Sequence, residues 1–417
     1  MPLLPVLLFG VVALLAPVAF ATPAEPVFSD TGPEAAAYGA PTYPISPDKR
    51  SAGIAQQFLV GTYSHFDQIY NTRRLARADA PAPLRRAAQE LTINYSFSGE
   101  PRSLADYLER QPATGLLLVR GDEILFEHYR YGRTDRDRLA GQSMTKTITA
   151  SLFGIAVADG KIRSIEAPAA EYIPELAGSE YGKTPLRALL HMASGVTFRE
   201  VYDGNDDIAK LGRGLFGTDS PGPGKAVVMF NEREATPDTH FHYASVETEI
   251  LGIVVENAVK TPLGDYAQTH LWQPMGAEAD ASWVVDATGH ETGFFGFSAT
   301  LRDWARFGLL LANDGAWNGR QIIPRQWVID ATTVAAGEEF RAPQKATSFF
   351  GYGYQVWLFP GPRRQFALLG VHGQAVFVDP EARLVLAHTA ARKMAARDPG
   401  IPELIGLWRA AVAQLTK

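Results

Sequence analysis

Gly141-Gln142-Ser143-Met144-Thr145-Lys146 is the stretch of this 417-residue chain that decides its interpretation. An apolar run with helical spacing follows over residues 148–155, which predicts a helix from Ser143 to Asp159 with Ser143 in its first turn. Lys146 then lies on the same face, where a desolvated amine of lowered pKa can take the serine proton. The amino end of the helix also supplies free N–H groups where an oxyanion would form.

The Ser-x-x-Lys spacing is weak evidence by itself, because a chain of this composition contains roughly one such match by chance. A second match, Ser46-Pro47-Asp48-Lys49, shows this directly. With proline at the next position, Ser46 is typical of a helix N-cap and Lys49 of a solvated side chain. The rest of the sequence has to distinguish the two serines.

Tyr243-Ala244-Ser245 makes that distinction, because it stands at the start of a second predicted helix, over residues 245–259, and its phenol can point at Ser143. With Lys146 nearby, Tyr243 can lose part of its proton affinity and act as general base, then as acid to the leaving group. A lone tyrosine beside a helix start is more often a packing residue. In combination with Ser143 and Lys146 it is a catalytic candidate.

Two groups of strands are predicted, one near each end of the main fold. Residues 116–119 and 124–126, joined by the Gly121-Asp122 turn, predict a β-hairpin. An antiparallel meander is predicted from the β-prone runs at residues 354–358, 366–369, 374–378 and 384–388. The simplest assembly is an α+β fold, with an antiparallel sheet built from both chain ends, flanking helices and a mainly helical insert at about residues 165–290.

Further helices are predicted after Thr184-Pro185, after the Thr300-x-x-Asp303 capping box and over residues 402–415. The segment from Glu200 to Phe241 is different, because it is rich in glycine, aspartate and proline and has little periodicity. We expect a long ordered loop or flap there, and loops of that length are often functional.

The composition is that of a folded protein and excludes several classes of function. Hydrophobic residues make up 46% and charged residues 20% of the chain, close to the globular average. Thirty-nine basic and 45 acidic residues give a net charge of −6 without a basic block, so no nucleic-acid partner is expected. The chain has no cysteine, which excludes disulfides and a cysteine nucleophile. His240 and His242 have no third ligand nearby, so no metal or other cofactor is predicted.

The N-terminal residues have the features of an export signal. Residues 3–20 are uncharged and apolar, and they end on Ala19-Phe20-Ala21, a pattern that a signal peptidase can cut. We therefore predict a signal peptide at residues 1–21, a periplasmic or secreted protein, and no stable membrane insertion after cleavage. An uncleaved N-terminal membrane anchor is the alternative. Residues 22–94 are predicted to be a linker and surface wrap, and residues 95–417 the main domain.

These motifs resemble those of a known family, the serine hydrolases of the class C β-lactamase and penicillin-binding-protein fold, and most closely its branch of 6-aminohexanoate-dimer hydrolases and esterases. Ser143-Met144-Thr145-Lys146 resembles the first family motif, and Tyr243-Ala244-Ser245 the second, where Tyr-x-Asn is commoner in the β-lactamases. Further similarity lies in residues 189–195, 266–275, 300–311 and 370–380. The resemblance covers residues 95–415 and implies a β-lactamase/transpeptidase-like fold.

The chain departs from this family at the third motif. β-Lactamases and peptidases carry Lys-Thr-Gly or His-Thr-Gly on the strand beside the site, whereas this chain has Leu368-Leu369-Gly370, with a leucine expected to face the substrate. Without the cation that helps to hold a substrate carboxylate, β-lactam and D-Ala-D-Ala chemistry is disfavoured. By resemblance, the N–H groups of Ser143 and Val371 would form the oxyanion hole. The resemblance also implies a substrate pocket that includes Ser245, Gly370 and His372, although His372 also suits a packing role.

The sequence thus predicts an exported serine hydrolase that opens amide or ester bonds of small or linear acyl compounds. Ser143 would form the acyl-enzyme, Lys146 and Tyr243 would move protons, and water would release the acyl group. A β-lactamase or D-Ala-D-Ala carboxypeptidase is the first alternative. A non-catalytic binding module on the same fold is the second. Selection of the acyl chain is expected to depend on the shape of the 200–241 segment.

Overall fold

The computed structural model describes residues 22–39 and 55–416, and a nine-stranded sheet forms its centre. The strands are β1 (Val27–Phe28), β2 (Thr72–Leu75), β3 (Arg85–Arg86), β4 (Asn94–Phe97), β5 (Glu100–Ser103), β6 (Ala113–Arg120), β7 (Glu123–Tyr129), β8 (Leu139–Ala140), β9 (Ala281–Val284), β10 (Phe297–Ala299), β11 (Ala316–Trp317), β12 (Arg320–Gln321), β13 (Gly351–Tyr352), β14 (Trp357–Leu358), β15 (Phe366–Gly370), β16 (Gln374–Asp379) and β17 (Leu384–Ala390).

The central sheet has the order β1-β7-β6-β17-β16-β15-β14-β13, with β3 also pairing with β7. β1 and β3 join β7 in parallel, and the pairs from β7 to β13 are antiparallel. The early hairpin is β6–β7 and the late meander is β13–β17, so both chain ends build one sheet. A second, antiparallel sheet has the order β2-β9-β10-β8. The predicted α+β fold is confirmed.

The inner strands of this sheet, such as β6, are apolar on both sides because helices cover both faces. Leu117 and Val119 of β6 belong to one hydrophobic core, whereas Leu116 and Leu118 belong to a second core that contains Trp408. Successive side chains of a strand point to opposite faces, so a continuous run of leucines fits a strand that is buried twice.

The helices lie on both faces of the sheet and in the segment between its two halves. They are α1 (Ala35–Tyr38), α2 (Leu59–Thr62), α3 (Phe66–Ile69), α4 (Leu104–Arg110), α5 (Thr145–Ala158), α6 (Glu180–Lys183), α7 (Leu186–Leu190), α8 (Asp207–Phe216), α9 (Pro223–Val228), α10 (Ser245–Val259), α11 (Leu263–Ala267), α12 (Leu301–Ala312), α13 (Arg325–Ala331) and α14 (Ile401–Leu415). The part of the chain described here contains no helix that is both long and apolar enough to cross a membrane.

Most of the predicted helices lie where the sequence patterns placed them. α10 and α14 cover the expected residues, and the Thr300 side chain caps α12 by accepting from Asp303 N. The predicted helix from Ser143 differs at its start, because Gln142–Met144 form a 3₁₀ turn and α5 begins at Thr145. Ser143 therefore precedes the α-helix and is not in its first turn.

Two other sequence-based expectations need correction. The predicted strand at residues 354–358 is shorter, since only Trp357–Leu358 is paired there, and Gly351–Tyr352 forms its neighbour. The 200–241 segment is not a continuous loop, because it contains α8 and α9. α8 forms despite two glycines because Asp206 caps it and because Leu211 and Leu215 are buried.

The region before residue 95 is packed against the rest of the protein. β2 pairs with β9, and Leu59, Val60 and Phe66 are buried in a third small core. The predicted signal peptide at residues 1–21 and the second Ser-x-x-Lys match at Ser46 both lie outside the described residues.

Candidate active site

Ser143, which lines a large cavity, is in direct contact with Lys146. Lys146 Nζ donates a 2.9 Å hydrogen bond to Ser143 Oγ and a second, 3.1 Å bond to the Phe294 carbonyl. The 3₁₀ turn before α5 positions Ser143, while Lys146 lies in the buried first turn of α5. The contact predicted from the spacing of these two residues is therefore present.

The surroundings of Lys146 make its amine a usable base. Burial lowers the pKa of Lys146 from 10.5 to about 8, against the opposing charges of Glu200 and Glu249. Nζ also lies 5.0 Å from the ring centroid of Tyr243 and 5.4 Å from that of Phe294. An amine with this pKa is about one-tenth neutral at pH 7, enough for general-base catalysis.

Tyr243 is held beside Ser143 by aromatic packing. Its ring stacks on Trp357 at a centroid distance of 5.5 Å and meets Tyr352 edge-on at 6.1 Å. Burial and the charge of Glu200 raise the pKa of Tyr243 well above its usual range, although a hydrogen bond with Ser143 opposes the shift. The expectation that Tyr243 loses proton affinity is wrong, because burial and the charge of Glu200 outweigh the hydrogen bond with Ser143 and keep the phenol protonated at neutral pH.

The backbone of β15 approaches the Ser143 turn at a glycine. A Cβ at Gly370 would lie 2.4 Å from the Gly141 carbonyl oxygen and 3.0 Å from Gln142 Cβ, so any larger residue would push the strand away. Gly370 is therefore the residue at which β15 packs against the turn that carries Ser143. The next residue, Val371, lines the cavity together with Ser143, which brings the two candidate oxyanion-hole residues to one site.

Gly141 is the second glycine that the site requires. A Cβ there would lie 2.2 Å from the ring of Trp304, whose Nε1 donates to the Leu139 carbonyl. Gly141 N also donates to the Phe297 carbonyl at 2.9 Å. Gln142 then adopts a positive φ of 50°, a conformation that side chains rarely take, immediately before Ser143.

The cavity has a volume of about 1020 Å³, large enough for a small or linear molecule. Its lining residues are Thr62, Tyr63, Phe66, Tyr70, Gln142, Ser143, Glu200, Tyr202, Ile208, Ala209, Gly212, Arg213, Phe216, Gly217, Ser245, Phe294, Phe295, Val371, His372, Lys393 and Ala395. Ser245 and His372 are thus in the wall, as the sequence predicted, whereas the third predicted pocket residue, Gly370, is not among the lining residues. Lys146 and Tyr243 are not in the lining either.

The leucines of the third motif do not face the substrate. Leu368 is buried in the core that contains Met144 and Ile148, and Leu369 packs on the opposite core. The expectation of a leucine in the cavity is therefore wrong, because the side chains of β15 alternate between the two cores. Two arginines of the 200–241 segment are candidates to replace the missing cation, and of these Arg213 lines the cavity, whereas Arg233 is bonded to Glu180.

Glu200 is the site residue that sequence reasoning missed. Its carboxylate accepts from Ser245 N at 2.7 Å, from Ser245 Oγ at 2.8 Å and from the Tyr202 hydroxyl at 2.7 Å. It thus joins the 200–241 segment to the start of α10, and its charge acts on both Lys146 and Tyr243. Nothing in the aperiodic sequence around Glu200 indicates this role.

Glu249 is a second missed carboxyl group. It is buried on α10, accepts a 2.7 Å bond from Gly293 N, and burial raises its pKa to about 8. A signal for it existed, since Glu247 and Glu249 lie directly before the apolar run of residues 250–255 on the same predicted helix. An acidic residue on a helix that is buried all round indicates a specific partner.

The histidines make hydrogen bonds to protein groups. His372 Nδ1 lies 2.7 Å from the Arg392 carbonyl, and burial lowers the pKa of His372. His242 Nε2 contacts the Phe198 carbonyl, and His240 contacts Thr239. Within residues 22–39 and 55–416, no group of three or more metal-ligating side chains is close enough to hold an ion.

Comparison with known proteins identifies the family. A family profile described as "Beta-lactamase" matches residues 102–402. The chain belongs to this family. The resemblance seen in the sequence motifs is therefore confirmed, and so is the expectation of a serine hydrolase.

Individual relatives agree with this assignment. The chain is 27% identical over 331 residues to a "6-aminohexanoate-dimer hydrolase" of Paenarthrobacter ureafaciens, covering 78% of this chain and 83% of the relative. A putative 6-aminohexanoate-dimer hydrolase from Bacillus anthracis superposes with a TM-score of 0.76 at 22% identity, covering 87% of this chain and 95% of that structure. A family VIII carboxylesterase superposes with a TM-score of 0.56 at 20% identity, covering 73% and 93%. These structural similarities support the β-lactamase/transpeptidase-like fold.

Proposed function

We propose that the protein hydrolyses amide or ester bonds of small or linear acyl compounds through an acyl-enzyme on Ser143. The observation that carries the proposal is the 2.9 Å contact between Lys146 Nζ and Ser143 Oγ, with the pKa of Lys146 lowered to about 8. A serine hydroxyl is a weak nucleophile until a neighbouring base accepts its proton, and the neutral amine meets that need.

Proton transfer would divide between two side chains. Neutral Lys146 accepts the Ser143 proton as Oγ attacks the carbonyl carbon and the tetrahedral intermediate forms. Tyr243, which keeps its proton at neutral pH, is suited to pass a proton to the leaving amine or alcohol. Water then attacks the acyl-enzyme by the reverse proton path, which releases the acid and regenerates the Ser143 hydroxyl.

The oxyanion would be held by the backbone. The close approach of Gly370 to Gly141 brings Val371 next to Ser143, and their two N–H groups are the proposed donors. Donors fixed before the reaction stabilise the developing negative charge without reorganisation, which is worth about 10²- to 10³-fold in kcat per donor. This arrangement depends on the backbone and tolerates the loss of the family's third-motif side chains.

The absence of a cation on β15 favours amidase or esterase activity over β-lactamase or carboxypeptidase activity, because a β-lactam or D-Ala-D-Ala carboxylate would lack its usual strand-borne partner. The contact of Ser143 with Lys146 argues against a non-catalytic binding module. A binding module has no use for an amine of lowered pKa on a serine hydroxyl.

Covalent labelling tests the proposal. A fluorophosphonate should add one label, mapped to Ser143 by mass spectrometry of the digested protein, and Ser46 should stay unlabelled. Ser143→Ala should lower kcat on p-nitrophenyl butyrate by at least about 10⁴-fold. The matched control, Ser46→Ala, should stay within about twofold, since loss of the helix N-cap that the sequence predicts at Ser46 costs only ~1 kcal/mol of stability. Full activity of Ser143→Ala would refute the acyl-enzyme.

We also propose that the chain is exported and cleaved after Ala21. The support is the uncharged apolar run at residues 3–20 followed by the small residues Ala19 and Ala21. Mature protein from an exporting host should begin at Thr22 and lie in the periplasm or medium. Membrane-bound protein that retains Met1 would establish the anchored alternative.

A further inference from the structure

The cavity beside Ser143 contains two cationic side chains that the proposed chemistry does not use. Arg213 and Lys393 both line it. Among residues 22–39 and 55–416, neither of these side chains makes an ion pair or a hydrogen bond. Arg233, by contrast, is occupied by the Glu180 side chain. Two unpaired cations in one cavity wall are available to an anion that enters the cavity.

Lys393 is fixed in place by the backbone around it. His372 N donates to the Ala395 carbonyl at 2.9 Å, and Arg392 N donates to the His372 carbonyl at 3.0 Å. His372 Nδ1 adds a contact of 2.7 Å with the Arg392 carbonyl. These bonds hold the segment that carries Lys393 against Val371 and His372, beside the proposed oxyanion hole.

Arg213 comes from a separate part of the chain. It lies in the last turn of α8, which Asp206 caps and which Leu211 and Leu215 anchor in the core. Because both cations line one cavity and no acidic side chain of the described residues pairs with either, this cavity favours an anionic ligand.

The remaining wall shows what kind of molecule would carry the anion. Glu200 is the acidic group in the lining, and its oxygens already accept three hydrogen bonds from Ser245 and the Tyr202 hydroxyl, so the two cations outnumber a single carboxylate that is already hydrogen-bonded. Most of the other large lining side chains are aromatic or aliphatic, including Tyr63, Phe66 and Phe216. Such a wall fits an apolar chain with a charge at one position.

We propose that the acyl part of the substrate is an apolar linear chain with a carboxylate, and that Arg213 and Lys393 bind this carboxylate. This inference rests on the proposed acyl-enzyme function and names the substrate class for the same site. Guanidinium and ammonium groups form charge-assisted hydrogen bonds with carboxylates, which would set the direction in which the chain enters.

Three p-nitrophenyl esters of equal chain length test the proposal: the monoester of adipic acid, the hexanoate and the 6-aminohexanoate. We expect kcat/KM to follow the order anionic, neutral, cationic, with the anionic ester favoured over the neutral ester by at least threefold at low salt. Arg213→Gln and Lys393→Gln should each lower this anionic-to-neutral ratio by about three- to tenfold, because both groups are partly in water. Added 0.5 M NaCl should lower it as well.

Arg320→Gln is the matched control. It removes the same charge from the protein, and Arg320 is exposed on β12, outside the cavity lining. It should leave the ratio unchanged. Hydrolysis of the hexanoate with no preference for the adipate, or a preference for the amino ester, would overturn the carboxylate site and leave the acyl-enzyme standing. Failure to turn over any of the three esters would overturn the proposed function and this inference together.

Discussion

The two ends of the cavity are built in different ways. At the inner end, Ser143, Lys146 and Tyr243 are held by the 3₁₀ turn, by α5 and by the stacking of Tyr243 on Trp357, and Lys146 is fully buried. The outer wall, around Tyr202 and Arg213, consists of exposed side chains on a segment with many glycines and aspartates. Glu200 connects the two ends.

This difference separates chemistry from selectivity. The inner end has its proton donors and acceptors fixed before substrate arrives, which is what acyl transfer requires. The outer wall offers charge and apolar surface that can change without disturbing Ser143. Substitutions at the inner end should therefore act on kcat, and those at the outer wall on the ranking of substrates.

Tyr243→Phe is the strongest test of the inner end. Removing the hydroxyl while keeping the stacked ring should lower kcat by about 10²- to 10⁴-fold with little change in KM, because general acid–base catalysis supplies that factor. Steady-state kinetics on p-nitrophenyl butyrate would show it. Tyr352→Phe, which alters the neighbouring ring 6.1 Å away, is the control and should stay within about threefold of wild type. A loss confined to KM would make Tyr243 a binding residue.

The inner end was predictable from sequence because its determinants are local. Ser143 and Lys146 are three residues apart. The strand at residues 116–119, in the central sheet, was predictable for the same reason, because its apolar run is unbroken. Glu200 and α8 were not predictable, because glycines at 212 and 214 weaken the helical pattern and the fold alone brings Glu200 to Ser245. Tertiary contacts decide the outer wall.

A comparison of substrates tests how far the outer wall compensates for the missing third-motif cation. A lost charge-assisted partner costs about 1.5 to 3 kcal/mol, equivalent to roughly 10- to 150-fold. We therefore expect kcat/KM on p-nitrophenyl butyrate to exceed that on benzylpenicillin by about two orders of magnitude. Comparable values would support the β-lactamase alternative, and a selective loss of penicillin hydrolysis in Lys393→Gln would then identify the replacement cation.

Glu200→Gln tests the link between the two ends. Its negative charge raises the pKa of Lys146, so removing the charge should move the acidic limb of the kcat/KM profile to lower pH. The weakened contact with Ser245 should also lower kcat/KM at the optimum by roughly tenfold, equivalent to about 1.4 kcal/mol. Asp203→Asn, an exposed change nearby, should leave the profile in place. An unshifted acidic limb in Glu200→Gln would show that its charge does not reach Lys146.

The last expected effect concerns stability rather than catalysis, and it comes from Glu249, whose charge acts on Lys146. Burial raises the pKa of Glu249 from 4.5 to about 8, so the folded protein holds this proton more tightly than the unfolded chain does. Stability should therefore fall as pH rises from 5 to 7.5, by up to about 1.4 kcal/mol per pH unit from this group. Lys146 has little influence in that window, because the number of protons it binds differs between the folded and unfolded states mainly above about pH 8.

Glu249→Gln, which imitates the protonated carboxyl, should flatten this pH dependence of the unfolding free energy in urea unfolding. Glu175→Gln, an exposed control, should keep the wild-type slope. Parallel slopes for Glu249→Gln and wild type would show that Glu249 is ionised in the folded protein.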